Sequence, residues 1–253
     1  MSLSTVGNNF GEIVFGSGTA ILTPTVNGPT NPTPINIPIM QELSIDITGD
    51  IAELYGQGSF PYGVARTKTK ITCKAKMGAI YAHLLADLFF GVNVTAGQTL
   101  FVAPESQTVT SHTCTVTHSA NFVTDGGVVN ASTGSPYQAV ASLTAVGQYT
   151  VTAGVYTFYS SDTISTALIT YTYNSPSTGE SATIINVAMG QMPQFSFQYM
   201  NNQWGPNVYL EFYRGVATKI SMPNKNTEFN MVDFDFSCFA LTNGNVFLLS
   251  LDE

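Results

Sequence analysis

Charge is what this chain has least of. Of its 253 residues, 8 are Lys or Arg and 16 are Asp or Glu, so 9% of the chain is charged, against about 25% in an average soluble domain. The formal net charge of -8 argues against a protein that grips nucleic acid by its phosphates, because that grip needs clustered, uncompensated Lys and Arg. Passage of DNA past the surface is not excluded. Cysteine is scarce too: Cys73, Cys114 and Cys238 are odd in number and far apart, which gives neither a disulfide framework nor a paired-Cys metal motif, so they are expected to be small buried residues. No apolar run is long enough for a bilayer: the longest, Met77 to Phe90, contains His83 and Asp87, and no membrane span is expected. Met1 to Phe10 lacks a basic segment followed by an apolar one, so no secretory signal is expected and synthesis in a cytoplasm follows. Also missing are a Gly-x-Ser-x-Gly elbow, a phosphate loop with its Lys, His-Glu-x-x-His and Gly-x-Gly-x-x-Gly. No enzyme is expected, and no cofactor.

What is present is apolar material and turn formers. Hydrophobic residues make up 44% and aromatics 11%, which supplies a core and excludes disorder as a description of the whole. Thr and Ser take the place of charge, and 22 Gly and 12 Pro punctuate the chain, a composition that favours many short strands over long helices. The expected class is mainly β, in one or two domains.

Residues 1–40 hold Pro24, Pro29, Pro32, Pro34 and Pro38, one acidic residue and no Lys or Arg. Proline lacks a donor and restricts its predecessor, so an extended arm is expected, with Ile35, Ile37 and Ile39 suited to docking. From Glu42 to Asp50 the chain alternates, Leu43, Ile45 and Ile47 against Glu42, Ser44, Asp46 and Thr48, as in a strand with one buried face. Gly49 to Gly63 is expected to be a covered loop, since Tyr55, Phe60 and Tyr62 make it aromatic. Next, Arg66, Lys68, Lys70, Lys74 and Lys76 occupy even positions, which places them on one strand face over about 33 Å. Two readings compete for this stripe. It meets a phosphate backbone, or it pairs across strands or between subunits with carboxylates such as Glu42, Asp46 and Asp50. The net negative charge and the acidic preceding strand favour the second.

Met77, Ile80, Tyr81, Leu84, Leu85 and Leu88 recur at spacings of three and four and Gly91 follows, predicting a helix over 77–90. His83 within it reads as a core or rim histidine. Residues 92–180 contain no Lys or Arg and carry turn signals at Asp125-Gly126-Gly127, Thr133-Gly134 and Ala153-Gly154 between strand-like runs at 148–152, 155–159 and 167–173. They are expected to form an inserted β module whose charge-poor surface packs against other copies. Alternating runs then return at 183–189, 194–200, 208–214, 216–222 and 229–239, the last with Val232, Phe234, Phe236 and Cys238 inward and Asp233, Asp235 and Ser237 outward.

Candidate chemistry is weak. His112 and Cys114 share a strand face about 7 Å apart, but His118 does not converge with them without a bend, so no metal site is expected. Asp233 and Asp235 imitate a carboxylate pair or a magnesium site, yet no His or Lys stands beside them in sequence. A solvated or interface face is the better reading.

The order of these features resembles the tail tube (major tail) protein of long-tailed bacteriophages. The segments that carry the resemblance are Glu42 to Ile47, Glu53 to Gln57, Phe60 to Arg66, Lys70 to Lys76, Gly147 to Val151, Gly154 to Phe158, Phe229 to Ser237 and Gly244 to Val246. The resemblance implies a β-sandwich or barrel with one flanking helix, here residues 41–91 and 181–253, with residues 1–40 as an N-terminal arm and 92–180 as the inserted module. It implies six copies joined into a ring with a continuous inner barrel, rings stacked into a hollow tube, assembly in the host cytoplasm and residence in the virion tail. Its partners are copies of itself, other phage tail proteins and genomic DNA in transit without specific binding. The arm and the 49–63 segment are expected to bridge rings, with Tyr55, Phe60, Tyr62, Arg66, Lys68, Lys70, Lys74 and Lys76 as contact candidates. Asp46, Asp50, Asp233 and Asp235 are the lumen or ring-contact candidates, because lumen side chains that are acidic or neutral do not hold DNA. The competing reading is a β-rich virion adhesin or fibre module that binds a host-surface ligand.

Overall fold

A computed structural model of the chain describes residues 18–186, 188–201 and 207–251. The protein is mainly β and divides into two compact units, Met1–Val94 with Ala182–Glu253, and Thr95–Ser181. The first unit opens with β1 (Thr19–Val26), β2 (Ile35–Ile37), β3 (Met40–Tyr55), β4 (Pro61–Met77) and a helical turn α1 (Ala82–Leu85) that widens into a π-helical turn at Ala86–Phe90. The second unit carries β5 (Thr95–Thr108), β6 (Thr113–Thr115), β7 (Phe122–Asn130), β8 (Gln138–Ala139), β9 (Gln148–Thr152), β10 (Val155–Phe158) and β11 (Thr166–Ser181). The chain returns to the first unit with β12 (Gln194–Asn201), β13 (Val208–Ser221), β14 (Val232–Cys238) and β15 (Phe247–Leu251).

The first unit is an antiparallel sheet in the order β2-β1-β12-β13-β14-β4-β3, with β15 on the same edge of β13 as β14. Strict alternation sends Cys73 and Ala75 of β4, Phe195 and Phe197 of β12, Phe212 of β13 and Phe234 and Phe236 of β14 into one core, which Leu84 and Leu88 of the helical segment join. The Phe236 ring centroid lies 4.9 Å from Phe197 and 5.5 Å from Phe195. Burying such rings stabilises by roughly 1.5–3 kcal/mol each.

Several expectations are corrected. The part of the 1–40 arm that is described is not free: β1 pairs with β12 and β2 with β1, burying Ile35 and Ile37 in the unit's own core, while Ile39 stays exposed. Residues 1–17 lie outside the described residues. The helix predicted over 77–90 begins only at Ala82, because Met77 continues the buried alternation of β4 opposite Val232. It ends as expected at Gly91. A φ of 66°, and a seat so tight that a Cβ would lie only 2.3 Å from the Asn27 carbonyl oxygen, admit no side chain at that position. His83 is partnered there, its Nδ1 2.7 Å from Oδ2 of the buried Asp87. No strand covers 183–186 or 188–189, and the runs 208–214 and 216–222 are one strand, β13. Of the three cysteines Cys73 and Cys114 are buried, but Cys238, at the end of β14, is partly exposed.

In the second unit β5-β11-β7 and β6-β10-β9-β8 form two sheets, whose inward Tyr149, Tyr156, Phe158, Ile169 and Tyr171 share one core. β9 and β10 are joined by Ala153 and Gly154, both at positive φ (47° and 77°), the twist-matched two-residue hairpin turn.

Candidate functional site

β3 and β4 pair from Met40–Met77 at the base to Tyr55–Pro61 at the tip. β14 covers the outer edge of β4 only from Ile71 to Met77. Beyond that point, Thr48–Tyr55 and Pro61–Lys70 continue as a two-stranded arm about 30 Å long. Among the described residues no other strand pairs with it. The segment expected to be a loop at 49–63 is therefore mostly this hairpin, and only 56–60 connect its strands.

The arm's faces differ. Ile47, Ile51 and Val64 extend the core-side face beyond the core and are exposed. At the tip, Phe60 is 82% and Tyr62 79% exposed, with Leu54 and Tyr55 beside them. A short hydrogen bond from the Tyr55 hydroxyl to Glu53 raises that phenol's pKa above its ordinary value. On the other face stand Asp46, Thr48 and Asp50 with Lys68 and Lys70, Asp50 directly opposite Lys68 and Thr48 opposite Lys70.

The five-residue basic stripe is broken. The register slips where Asp50 pairs with Lys68 but Ile51 pairs with Arg66, leaving Thr67 as the extra residue of a bulge. Arg66 thereby turns to the apolar face, where its side chain crosses Gly49 so closely that a Cβ there would lie 3.1 Å from Arg66 Cδ. Lys68, Lys70, Lys74 and Lys76 keep the polar face.

At the arm's base the polar face is a lattice of mixed charge. Lys76 lies between Glu42 of β3 and Asp233 of β14, and Lys74 between Ser44 and Asp235. Lys219 of β13 stands opposite Asp235. The Lys76 ammonium donates to Glu42 at 2.6 Å, and that bond and charge raise its pKa. Among the described residues Arg66, Lys68, Lys70, Lys74 and Lys219 make no ion pair within 4.0 Å. Asp233 and Asp235 are half-buried on this face, and Asp46 and Asp50 are exposed farther out along it. All four acidic candidates thus share one sheet face with four of the five basic ones. Lys219 was not legible: a bulge at Thr218 turns it to that face while Ala217 stays in the core.

The second unit holds a different arrangement, one that no sequence motif announces. Asp125 accepts from the hydroxyls of Tyr149 (2.5 Å) and Tyr156 (2.8 Å). Glu105 accepts from Tyr171 (2.6 Å) and from the amide and hydroxyl of Thr117. Asp162 accepts from Tyr137 (2.7 Å) and the Gly147 amide. The available signal was the lack of any Lys or Arg between residues 76 and 214, since a buried carboxylate there must find hydroxyl and N–H donors instead. Burial alone would push Glu105 up, yet the hydrogen bonds from Tyr171, Thr117 and Gln107 outweigh it and hold the carboxyl at about 2.

His112 sits exposed in a turn at φ 62°, Cys114 is buried in β6, and His118 stacks on Tyr173 with ring centroids 3.8 Å apart. Among the described residues no three His, Cys, Asp or Glu side chains are grouped so as to hold a metal ion, and no helix is long and apolar enough to cross a membrane. No known family model matches the chain, and no curated protein matches it.

Proposed function

We propose that this chain is a structural subunit that self-assembles through its β3–β4 arm into stacked rings, the tail tube of a long-tailed bacteriophage, through which DNA passes. The observation that carries the reading is the arm: Thr48–Tyr55 and Pro61–Lys70, whose outer edges are unpaired among the described residues and whose two faces are largely exposed. A hairpin of this kind is marginal alone, and its open edges are templates for another chain. Closing a ring satisfies every edge with a neighbour's and removes the aggregation hazard. The exposed Ile47, Ile51 and Val64 make the apolar face the one that a neighbouring copy covers.

The polar face then lines the channel. Glu42, Asp46, Asp50, Asp233 and Asp235 are interleaved there with Lys68, Lys70, Lys74, Lys76 and Lys219, five of each sign, so the wall offers passing phosphates no net basic track, and release of counterions on contact is small. Negative-stain microscopy of the purified chain tests this reading: rings or tubes of constant diameter are expected, and a monodisperse monomer at all concentrations that binds a glycan saturably supports an adhesin instead.

A further inference from the structure

The two strands of the arm are segregated by charge. β3 carries Glu42, Asp46, Asp50 and Glu53 and no Lys or Arg; β4 carries Arg66, Lys68, Lys70, Lys74 and Lys76 and no Asp or Glu. Among the described residues the outer edge of β3 is open along its whole length and that of β4 from Pro61 to Lys70. Among the described residues the sheet has two further open edges. One is β2, three residues long and flanked by Pro34 and Pro38, which blunts it as a template. The other is the outer edge of β15, five exposed residues without a charge, which carries no sign by which to select a partner.

We infer that the arm selects its partner by this segregation: the acidic outer edge of β3 in one copy pairs with the basic outer edge of β4 in the next, and like edges are rejected. A two-fold pairing of β3 with β3 sets Asp46 and Asp50 against carboxylates, and β4 with β4 sets Lys68 and Lys70 against ammonium groups, both unfavourable directly across a ladder. Only the head-to-tail pairing matches signs. It is heterologous, so it propagates around a ring where a two-fold contact stops at a dimer. Because the sheet continues across the contact, Asp46 and Asp50 of one copy share the polar face with Lys68 and Lys70 of the neighbour. Those two lysines make no ion pair within their own copy among the described residues. Sign matching across the contact raises the encounter rate and excludes the wrong geometry more than it adds affinity. The inference rests on the ring reading and adds which edges meet.

The test uses the full chain in two variants, Lys68→Glu with Lys70→Glu, and Asp46→Lys with Asp50→Lys. The first has two acidic edges and the second two basic ones. All four positions are exposed, and far-ultraviolet circular dichroism checks each fold. Because Asp50 lies opposite Lys68 within the hairpin, each double change also sets like charges across its own ladder. The single changes Lys70→Glu and Asp46→Lys, opposite Thr48 and Thr72, read the contact between copies without that defect and decide the outcome. Each variant alone is expected to lose rings and tubes in negative stain and sedimentation. An equimolar mixture recovers them, since only contacts between copies can be complemented by mixing. Wild-type tubes together with normal assembly of either variant alone, or with a mixture that stays dispersed, overturn the edge pairing and leave the tube reading standing. A wild type that never assembles overturns both.

Discussion

The Sγ atoms of Cys73 and Cys238 lie 4.0 Å apart, across β4 and β14 at the level where the arm leaves the sheet. Cys73 is buried, and its contact with Cys238, together with burial, pushes its thiol well above the ordinary value. Burial likewise pushes Cys114 up to about 11. Thiolates are the reactive form. Ellman's reagent on the native monomer is therefore expected to label Cys238 first, with the other two thiols reacting only on unfolding. Fast labelling of Cys73 in the native chain contradicts the packing of β14 on β4.

In the second unit, Asp125→Ala strands two buried hydroxyls, those of Tyr149 and Tyr156. A buried donor left without a partner costs about 1–3 kcal/mol, so the variant, which strands two, is expected to lose about 2–6 kcal/mol in denaturant titrations followed by tyrosine fluorescence. Tyr156→Phe, which keeps one of the two donors on Asp125, should lose less. Equal loss in the two variants counts against the shared-carboxylate arrangement.

Acid is expected to weaken the same unit. Glu105 is held at about 2 in the folded state against an ordinary 4.5. The depressed carboxylate contributes stability above its unfolded pKa, and that contribution disappears as pH falls from about 4.5 to about 2. Asp162, where burial opposes the hydrogen bonds from Gly147, Tyr137 and Ile164 but does not prevail, is also lowered and adds in the same direction. At the alkaline end Tyr171, raised to about 12 by burial and by its bond to Glu105, loses its contribution as pH rises through that value. Thermal unfolding between pH 2 and 7 should show the acid loss, and Glu105→Gln should flatten it. An unchanged slope in that variant contradicts the assignment.

How much of this was legible varies with the kind of signal. The mainly-β class followed from composition, and the inward set Val232, Phe234 and Phe236 from period two alone. The pairing of the basic strand with an acidic one was also legible, since Glu42 and Lys76 meet at 2.6 Å. Bulges were not. An extra residue at Thr67 or Thr218 leaves no mark in the hydrophobic pattern, yet each turns a charged side chain, Arg66 or Lys219, to the other face. The arm itself reads as a loop in the sequence because the tip aromatics and three glycines between 49 and 58 look like turn chemistry; the backbone pairing that keeps it extended lies between strands and not within either one.

The Ala153–Gly154 turn offers a gain. Ala153 holds φ at 47°, a conformation that costs a residue with a Cβ and that Asn tolerates better. Ala153→Asn supplies the preferred Asn-Gly pair and is expected to stabilise the second unit by about 0.5–1 kcal/mol, read as a raised denaturation midpoint with an unchanged slope. A lowered midpoint contradicts the turn geometry.

If the arm from Thr48 to Lys70 is completed by another copy, a cryo-electron microscopy map of the assembled particle will contain a continuous β-ladder running from subunit to subunit. The outer edge of β3 in each copy is expected to be hydrogen-bonded to a neighbour, with Asp46, Asp50 and Lys70 facing the channel. A map in which the arm stands alone in solvent, or folds back on its own subunit, contradicts this.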